Sequence, residues 1–242
     1  MRQVVSLAGG RVRRPVYAWT PTVHALLGSL HAAGVVEVPV PLGLTAEYEE
    51  VSFLRGDAGA DCWPHQATDS GLRSAGRLLR RIHDATVGWV PPAGAVWGLP
   101  ARRPEEVVCH GDPGPWNMVW NDGAAVGLFD GDFCHPGPRV DDVAYALEYL
   151  APFRDDAQAQ RWHGFSSPPD RAGRISAFCE AYGISSVGVV DVVTDVQRRG
   201  IDHVRMLAEA GVHPQVDWVA DGHLDELAAR VAWSQNHRDL FT

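Results

Sequence analysis

The spacing of apolar positions changes several times along the chain, and each change marks an element. Residues 3–7 (Gln-Val-Val-Ser-Leu) read as a strand, Gly9-Gly10 as a tight turn, and 11–17 as the returning partner. At Thr20-Pro21 the spacing becomes helical: Val23, Leu26, Leu27 and Leu30 share a face as far as Ala33, and Gly34 is a stop. The Thr20 hydroxyl followed by proline is a helix-start signal. Within 36–43, Val-Pro-Val-Pro is extended and restricted to a sheet edge, because proline cannot donate to a ladder. Residues 49–54 form another strand, broken by Arg55-Gly56-Asp57. A loop over 58–68 leads to a helix capped by Thr68 or Ser70 and running to about Val87. It has Leu72, Leu78, Leu79 and Ile82 on one face and Arg73, Arg77, Arg80 and Arg81 around the other. Residues 88–104 are loop, and helical spacing returns over about 141–151, 170–183, 187–211 and 216–235. There is no internal repeat and no low-complexity tract.

The segment that interrupts this pattern is 107–132, VVCHGDPGPWNMVWNDGAAVGLFDGD. His110-Gly111-Asp112 is followed, five residues after the Asp, by Asn117. Two short apolar runs then flank an Asn-Asp-Gly turn at 121–123, and the second ends in Phe129-Asp130. Phosphoryl transfer needs such a set: one carboxylate orients the attacking hydroxyl, while an amide and a second carboxylate hold a metal on the phosphates. The spacing agrees with the kinase catalytic loop, H-x-D-x-x-x-x-N, followed by a metal-binding Asp on the next hairpin. Asp and Asn are also ordinary turn residues in a loop rich in Pro and Gly. Pro115, the hairpin turn and the Phe-Asp strand end, all in order, favour the functional reading.

Composition narrows the classes. The chain has 242 residues and 45% hydrophobic content, enough for one substantial core or two small lobes. No apolar run approaches the ~20 residues of a membrane helix, and no apolar block follows Arg2, so neither a membrane span nor a secretory signal is expected. Cys62, Cys109, Cys134 and Cys179 contain no C-x-x-C pair; buried reduced thiols in a cytoplasmic protein are the simplest account. The net charge of -9 argues against a nucleic-acid partner and weakly favours a cationic small molecule. All 21 basic residues are arginine, so the lysine that kinase-type enzymes use on nucleotide phosphates has no candidate. Oligomeric state is not readable.

His-Gly-Asp-x-x-Pro-x-Asn, followed by an apolar strand ending in Asp130, resembles the aminoglycoside phosphotransferase and choline kinase-like family. Leu78-Leu79-Arg80-Arg81-Ile82-His83 is similar to the L-L-x-x-L-H stretch that precedes the catalytic segment there, and Asp142 fits the Asp of the following G-D-P-x-x-D-L-A element best. The resemblance implies an α+β, protein-kinase-like two-lobed fold. A reduced N-terminal β lobe (1–57) would stand on the nucleotide side. A mostly helical lobe (58–242) would carry the catalytic loop and metal site. It implies Asp112 as the catalytic residue, Asn117 and Asp130 as Mg²⁺ ligands, and ATP or GTP as donor to a hydroxyl of a small, aminoglycoside-like molecule, the chemistry of antibiotic resistance. It also implies a hinge at Ser52-Phe53-Leu54, with Phe53 and Leu54 at the nucleotide base, and a bracing role for His110 against the strand that carries Asp130. Two departures stand out. The first small-lobe strand and glycine-rich loop are not found, and the first helix has no acid, with His24 as a titratable group on it. Two other classes stay open: a kinase-like binding protein of the toxin-immunity type, and a metal-dependent phosphohydrolase using the same carboxylates.

Several residues carry two readings. Arg13 or Arg14 would replace the missing lysine on the phosphates; strand alternation turns only one of them inward, and the other face is solvated. Asp132, two residues past Asp130, is a supporting metal ligand or a solvated acid. Asp142 at a helix start is an N-terminal cap in the structural reading and an anchor of the catalytic loop in the functional one. Trp116, Trp120 and Trp162 could line a cleft but fit core packing better. Asp155 and Asp156 could meet substrate amines but suit a solvated helix start better.

Overall fold

The computed structural model describes residues 5–242; the start of the first expected strand, residues 3 and 4, lies outside them. The N-terminal part is a four-stranded antiparallel sheet, β1 (Ser6–Ala8), β2 (Arg11–Pro15), β3 (Pro41–Leu44) and β4 (Tyr48–Ser52), in the order β1-β2-β4-β3. Gly9 and Gly10, both at positive φ, make the β1–β2 turn. The proline-bearing β3 lies at an edge, where its missing donor costs nothing. Between β2 and β3 runs α1 (Thr20–Ala32), which buries Val23, Leu26 and Leu30. Its cap differs from the expectation. Thr20 is the first helical residue, and its hydroxyl accepts from Tyr17 N at 2.9 Å instead of capping the next turn.

The remainder is mainly helical. The stretch read as loop contains α2 (Trp63–Gln66), and α3 (Asp69–Thr86) begins at a Thr68 cap that accepts from Gly71 N at 3.0 Å. Four short strands carry the central segment: β5 (Val107–Cys109), the hairpin β6 (Met118–Asn121) and β7 (Ala124–Leu128), and β8 (His135–Gly137), which pairs with β5. Asp122 and Gly123, both at positive φ, form the hairpin turn. Then follow α4 (Arg139–Leu150), α5 (Asp156–His163), α6 (Arg171–Tyr182), α7 (Val189–Glu209), α8 (Gln215–Ala220) and α9 (His223–Asn236). The helix expected over 216–235 is two helices, broken at Gly222, whose φ of 82° ends one and starts the other. No helix among the described residues is long and apolar enough to cross a membrane.

The core joins both parts. Leu72, Leu79, Met118, Trp120, Leu128, Leu147, Leu150 and Phe178 are almost fully buried within one apolar cluster that also includes Val23 and Leu26 of α1. Backbone pairing joins the parts as well: Asp57 and Trp120 exchange N–H···O bonds of 2.9 and 2.8 Å. Gly56 permits that approach, since a Cβ there would stand 2.6 Å from Trp120 O. The segment after β4 and the β6–β7 hairpin are thereby joined.

Candidate active site

Asp112 lies in the loop after β5, Asn117 in a single 3₁₀ turn before β6, and Asp130 just beyond β7. The hairpin folds Asn117 back onto the Asp, so the Asn117 Nδ2 donates to Asp112 Oδ2 at 3.0 Å and to its main-chain oxygen at 2.9 Å. With the amide nitrogen used in this way, Asn117 Oδ1 is the side-chain atom that could ligate a metal. Asp130 adopts φ 65°, a left-handed conformation that is uncommon for a non-glycine residue and is found disproportionately at functional sites. Burial pushes the Asp112 carboxyl up to about 7, against the pull of the Tyr145 phenol, and the Asp130 charge adds to the rise. One of its oxygens, Oδ1, is buried with no hydrogen-bond partner.

The loop is anchored from behind. Asp142, nearly fully buried, accepts from His110 N at 2.6 Å and Gly111 N at 3.0 Å through its two oxygens. Burial alone would raise its carboxyl, but the His83 imidazole beside it at 2.9 Å and the His110 N–H hold it below its usual value. Asp142 is therefore not the cap of α4: it is the fourth helical residue, and Pro138 occupies the cap. His83 in turn meets the Tyr182 hydroxyl at 2.7 Å, which explains a histidine at the end of the L-L-x-x-L-H-like stretch. His110 Nε2 donates to Phe129 O at 2.9 Å and its Nδ1 accepts from Asp112 N at 3.3 Å, so the ring ties the catalytic loop to the residue before Asp130. Gly111 is required here, because a Cβ at its φ of 84° would lie 2.2 Å from Phe133 O. Replacing Asp142 by alanine strands the His83 ring and two buried N–H groups; a loss of about 3 kcal/mol or more in urea unfolding is the expected result.

Of Arg13 and Arg14 on β2, only Arg14 reaches the cleft. The β2–β4 register pairs Arg14 with Glu49 and Arg13 with Glu50, on opposite faces. Arg13 lies outside, bonded to Glu50 at 2.8 Å and stacked over Tyr48. The Arg14 guanidinium bonds Glu49 Oε1 at 2.6 Å, Asp130 Oδ1 at 2.5 Å and Asp132 Oδ2 at 3.2 Å. Burial would lower its pKa, but Asp132, Asp130 and Glu49 hold it above the usual arginine range. Asp132 also accepts from Trp19 Nε1 at 3.2 Å, and burial raises its carboxyl to about 6 in spite of Arg14. The second Glu49 oxygen meets His24 Nε2 at 2.6 Å. The acid absent from α1 is thus supplied by strand β4, and the helix contributes His24 to the same carboxylate. Glu49 escaped the sequence reading, and nothing in the chain tied His24 to the site. The signal for Glu49 was alternation, which places it on the same face as the buried Val51.

Arg14, His110, Asp112, Asp130 and Asp132 border a cavity of about 620 Å³. Its walls include Val12, Leu26, Val38, Val51 and Leu128, together with Ser52, Phe53 and Leu54 of the expected hinge. The Phe53 N–H is already donated to Gly10 O at 2.9 Å. Trp120 is fully buried core, Trp162 is on the surface beneath Arg161, and Trp116 packs edge-on against Tyr149 at 4.5 Å. Asp155 caps α5 through Gln158 N at 2.8 Å, and Asp156 pairs with Arg171 at 2.9 Å, so both are engaged within the fold.

The chain matches the phosphotransferase enzyme family (APH) over residues 11–97 and 93–174, and it belongs to that family. It is 32% identical over 191 residues to the trifolitoxin immunity protein of Rhizobium leguminosarum bv. trifolii, a match spanning 76% of this chain and 72% of that protein. Among solved structures it is similar to a choline/ethanolamine kinase family protein from Mesorhizobium loti, at 14% identity, TM-score 0.61, and 97% and 90% of the two chains. A second is the spectinomycin phosphotransferase APH(9)-Ia in complex with ADP and spectinomycin, at 11% identity, TM-score 0.60, and 96% and 88% of the two chains. These neighbours establish the kinase-like two-lobed α+β fold.

Proposed function

We propose that the protein transfers the γ-phosphoryl group of ATP or GTP to a hydroxyl of a small molecule. The observation that carries this reading is that Asp112 and Asp130 line one cavity together with the 52–54 segment and Arg14, with Asn117 hydrogen-bonded to Asp112 behind that wall. The base would lie against the apolar wall and Leu54, the phosphates beside Arg14, and the acceptor hydroxyl at Asp112. Asp112 would orient that hydroxyl and take its proton; positioning and charge stabilisation do the rest. The donor set suits Mg²⁺: Asn117 Oδ1 and the Asp130 oxygen not held by Arg14 are hard oxygens, and Mg²⁺ completes its shell with phosphates and water. Among the described residues there is no group of three or more His, Cys, Asp or Glu that could hold a metal unaided, which fits a metal that arrives with the nucleotide. Bound there, Mg²⁺ would screen phosphate charge as it shifts in the transition state.

A second reading is favoured by the relative described as an immunity protein: a protective protein that binds a toxin on the same scaffold. Titration calorimetry with Mg-ATP and Mg-GTP separates the two. Saturable binding of either nucleotide, weakened by Asp130→Ala, is the expected result; no heat and no thermal shift with either would overturn the phosphotransferase reading in favour of the second.

A further inference from the structure

On the helical side of Asp112 the charge has the opposite sign from that of the cleft. Tyr145, Glu148 and Tyr149 form one stripe of α4. The Tyr145 phenol is buried beside the Asp112 carboxylate, and both burial and that charge push its ionisation far up. Tyr149 packs 5.6 Å from Tyr145 and 4.5 Å from Trp116, ring centre to ring centre. Beyond Tyr149 lie two arginines. Arg154 stands over the Tyr149 ring at 5.0 Å, and Arg230 of α9 donates to Glu148 Oε1 at 3.1 Å. Arg154 Nη2 is 3.8 Å from the same oxygen, too far for a hydrogen bond. One carboxylate therefore serves two guanidinium groups, and a positive charge is left over.

Arg154 is also under-used. The Tyr149 side chain gives it one hydrogen bond, but its Nε and Nη2 are buried without a hydrogen-bond partner. Buried donors are almost always satisfied, and a buried charge without partners is costly. The same chain shows how it satisfies an arginine that serves the fold. Arg171 donates to Pro152 O and Arg154 O and pairs with Asp156. Arg174 donates to Leu150 O, Ala67 O and Gln66 O. Arg154 has no such set, yet its side chain remains 13% exposed and that of Arg230 19%, so the pair opens on one side. The local field agrees: burial, then Arg154, drive the neighbouring His163 down to about 3.

We propose that the acceptor is a hydroxy acid whose carboxylate is held by Arg154 and Arg230, with Tyr145 and Tyr149 between that anchor and the hydroxyl presented to Asp112. The planar guanidinium fork matches a carboxylate, and a ligand anion would supply the partner that Arg154 lacks. The assignment of a hydroxyl to Asp112 rests on the phosphotransferase reading; the anion anchor does not.

The test uses the full chain and a series of ω-hydroxy acids of two to five carbons, from glycolate to 5-hydroxypentanoate, with the matching diols and choline as controls. Binding is followed by saturation-transfer NMR and calorimetry without nucleotide. At least one acid should bind saturably and more tightly than its diol and choline. Arg154→Met and Arg230→Met should each weaken it by roughly tenfold or more, Arg154→Lys should restore part of the loss, and the exposed Arg205→Met should change nothing. Thermal unfolding adds a readout that a structural arginine would move the other way: Arg154→Met should leave the melting temperature unchanged or raise it. No binding by any acid, equal binding by diol or choline, or unaltered binding in both methionine variants overturns the proposal, as does a fall in melting temperature of more than about 5 °C in Arg154→Met. Mg-ATP binding is measured in parallel. Acid binding without nucleotide binding refutes the phosphotransferase reading and keeps the anion site, and nucleotide binding without acid binding does the reverse.

Discussion

Asp112→Asn should abolish phosphoryl transfer, leave Mg-nucleotide affinity nearly unchanged and make the protein more stable at pH 8. The three effects have one source. A carboxylate of ordinary value 3.8 is pushed to about 7 mainly by burial, with one oxygen lacking any partner. Below pH ~4 both folded and unfolded chains hold this proton, and it costs the fold nothing. Between pH ~4 and ~7 the unfolded chain has released the proton and the folded chain has not, so stability falls as pH rises through that window. Above it the fold carries the full cost of a buried charge. The residue keeps some exposure on its cleft side, so a cost of ~1–3 kcal/mol is the reasonable scale. Asparagine has nearly the same shape and no charge, so the gain should be present at pH 8 and absent at pH 4, where the comparison serves as an internal control. Turnover should fall by ~10²–10⁴, the range for losing a positioned acid or base. Retained turnover would remove Asp112 from the chemistry. A lower melting temperature at pH 8 would show that the carboxylate is stabilised by contacts other than those described.

What could be read from the chain beforehand was local. The Asn-Asp-Gly turn, the Thr68 cap, the apolar stripes of α3 and α7 and the edge-bound prolines are each decided by residues within one or two turns of one another. The spacing of Asp112, Asn117 and Asp130 belongs to the same kind, because one loop and one hairpin bring them together. What stayed hidden depends on register or on distance along the chain. Strand alternation shows that only one of Arg13 and Arg14 faces inward, but the phase is set by pairing with β4, where Arg14 meets Glu49. The acid that steadies Arg14 comes from that strand, 35 residues away, and not from the helix where a kinase-type pattern places it. Asp142 has the look of a cap because acids are common at helix starts, yet its carboxylate is used on a loop 32 residues earlier. Helix α5 is short and mostly polar, so its spacing carries too little signal to separate it from loop.

Arg14→Ala should be the most damaging single change in the small lobe, and the reason again lies in what is left behind. Among the described residues Arg14 is the only arginine bonded to Glu49, whose side chain is 1% exposed, and it also neutralises Asp130 and Asp132 across the cleft. Without it, Glu49 keeps His24 as its partner, and Asp130 and Asp132, which already raises its own proton affinity to about 6, face each other without a cation. Breaking a buried ion pair from one side typically costs ~3–5 kcal/mol, which for a chain of this size corresponds to a melting temperature lower by roughly 10 °C. Nucleotide affinity should fall with it, since Arg14 is the arginine that lines the cavity between the 52–54 segment and the proposed metal ligands among the described residues. Arg14→Lys discriminates between the two losses. Lysine keeps the charge but can no longer span three carboxylates, so part of the stability should return while affinity for Mg-ATP stays well below wild type. Arg13→Ala, on the opposite face of the same strand, should alter neither property, because its partners Glu50 and Tyr48 lie at the surface. Equal effects of the two alanine substitutions on nucleotide binding would remove Arg14 from the site. A fully stable Arg14→Ala protein that no longer binds nucleotide would instead show that Glu49, Asp130 and Asp132 accommodate one another without the arginine, and that Arg14 is kept for the phosphates alone.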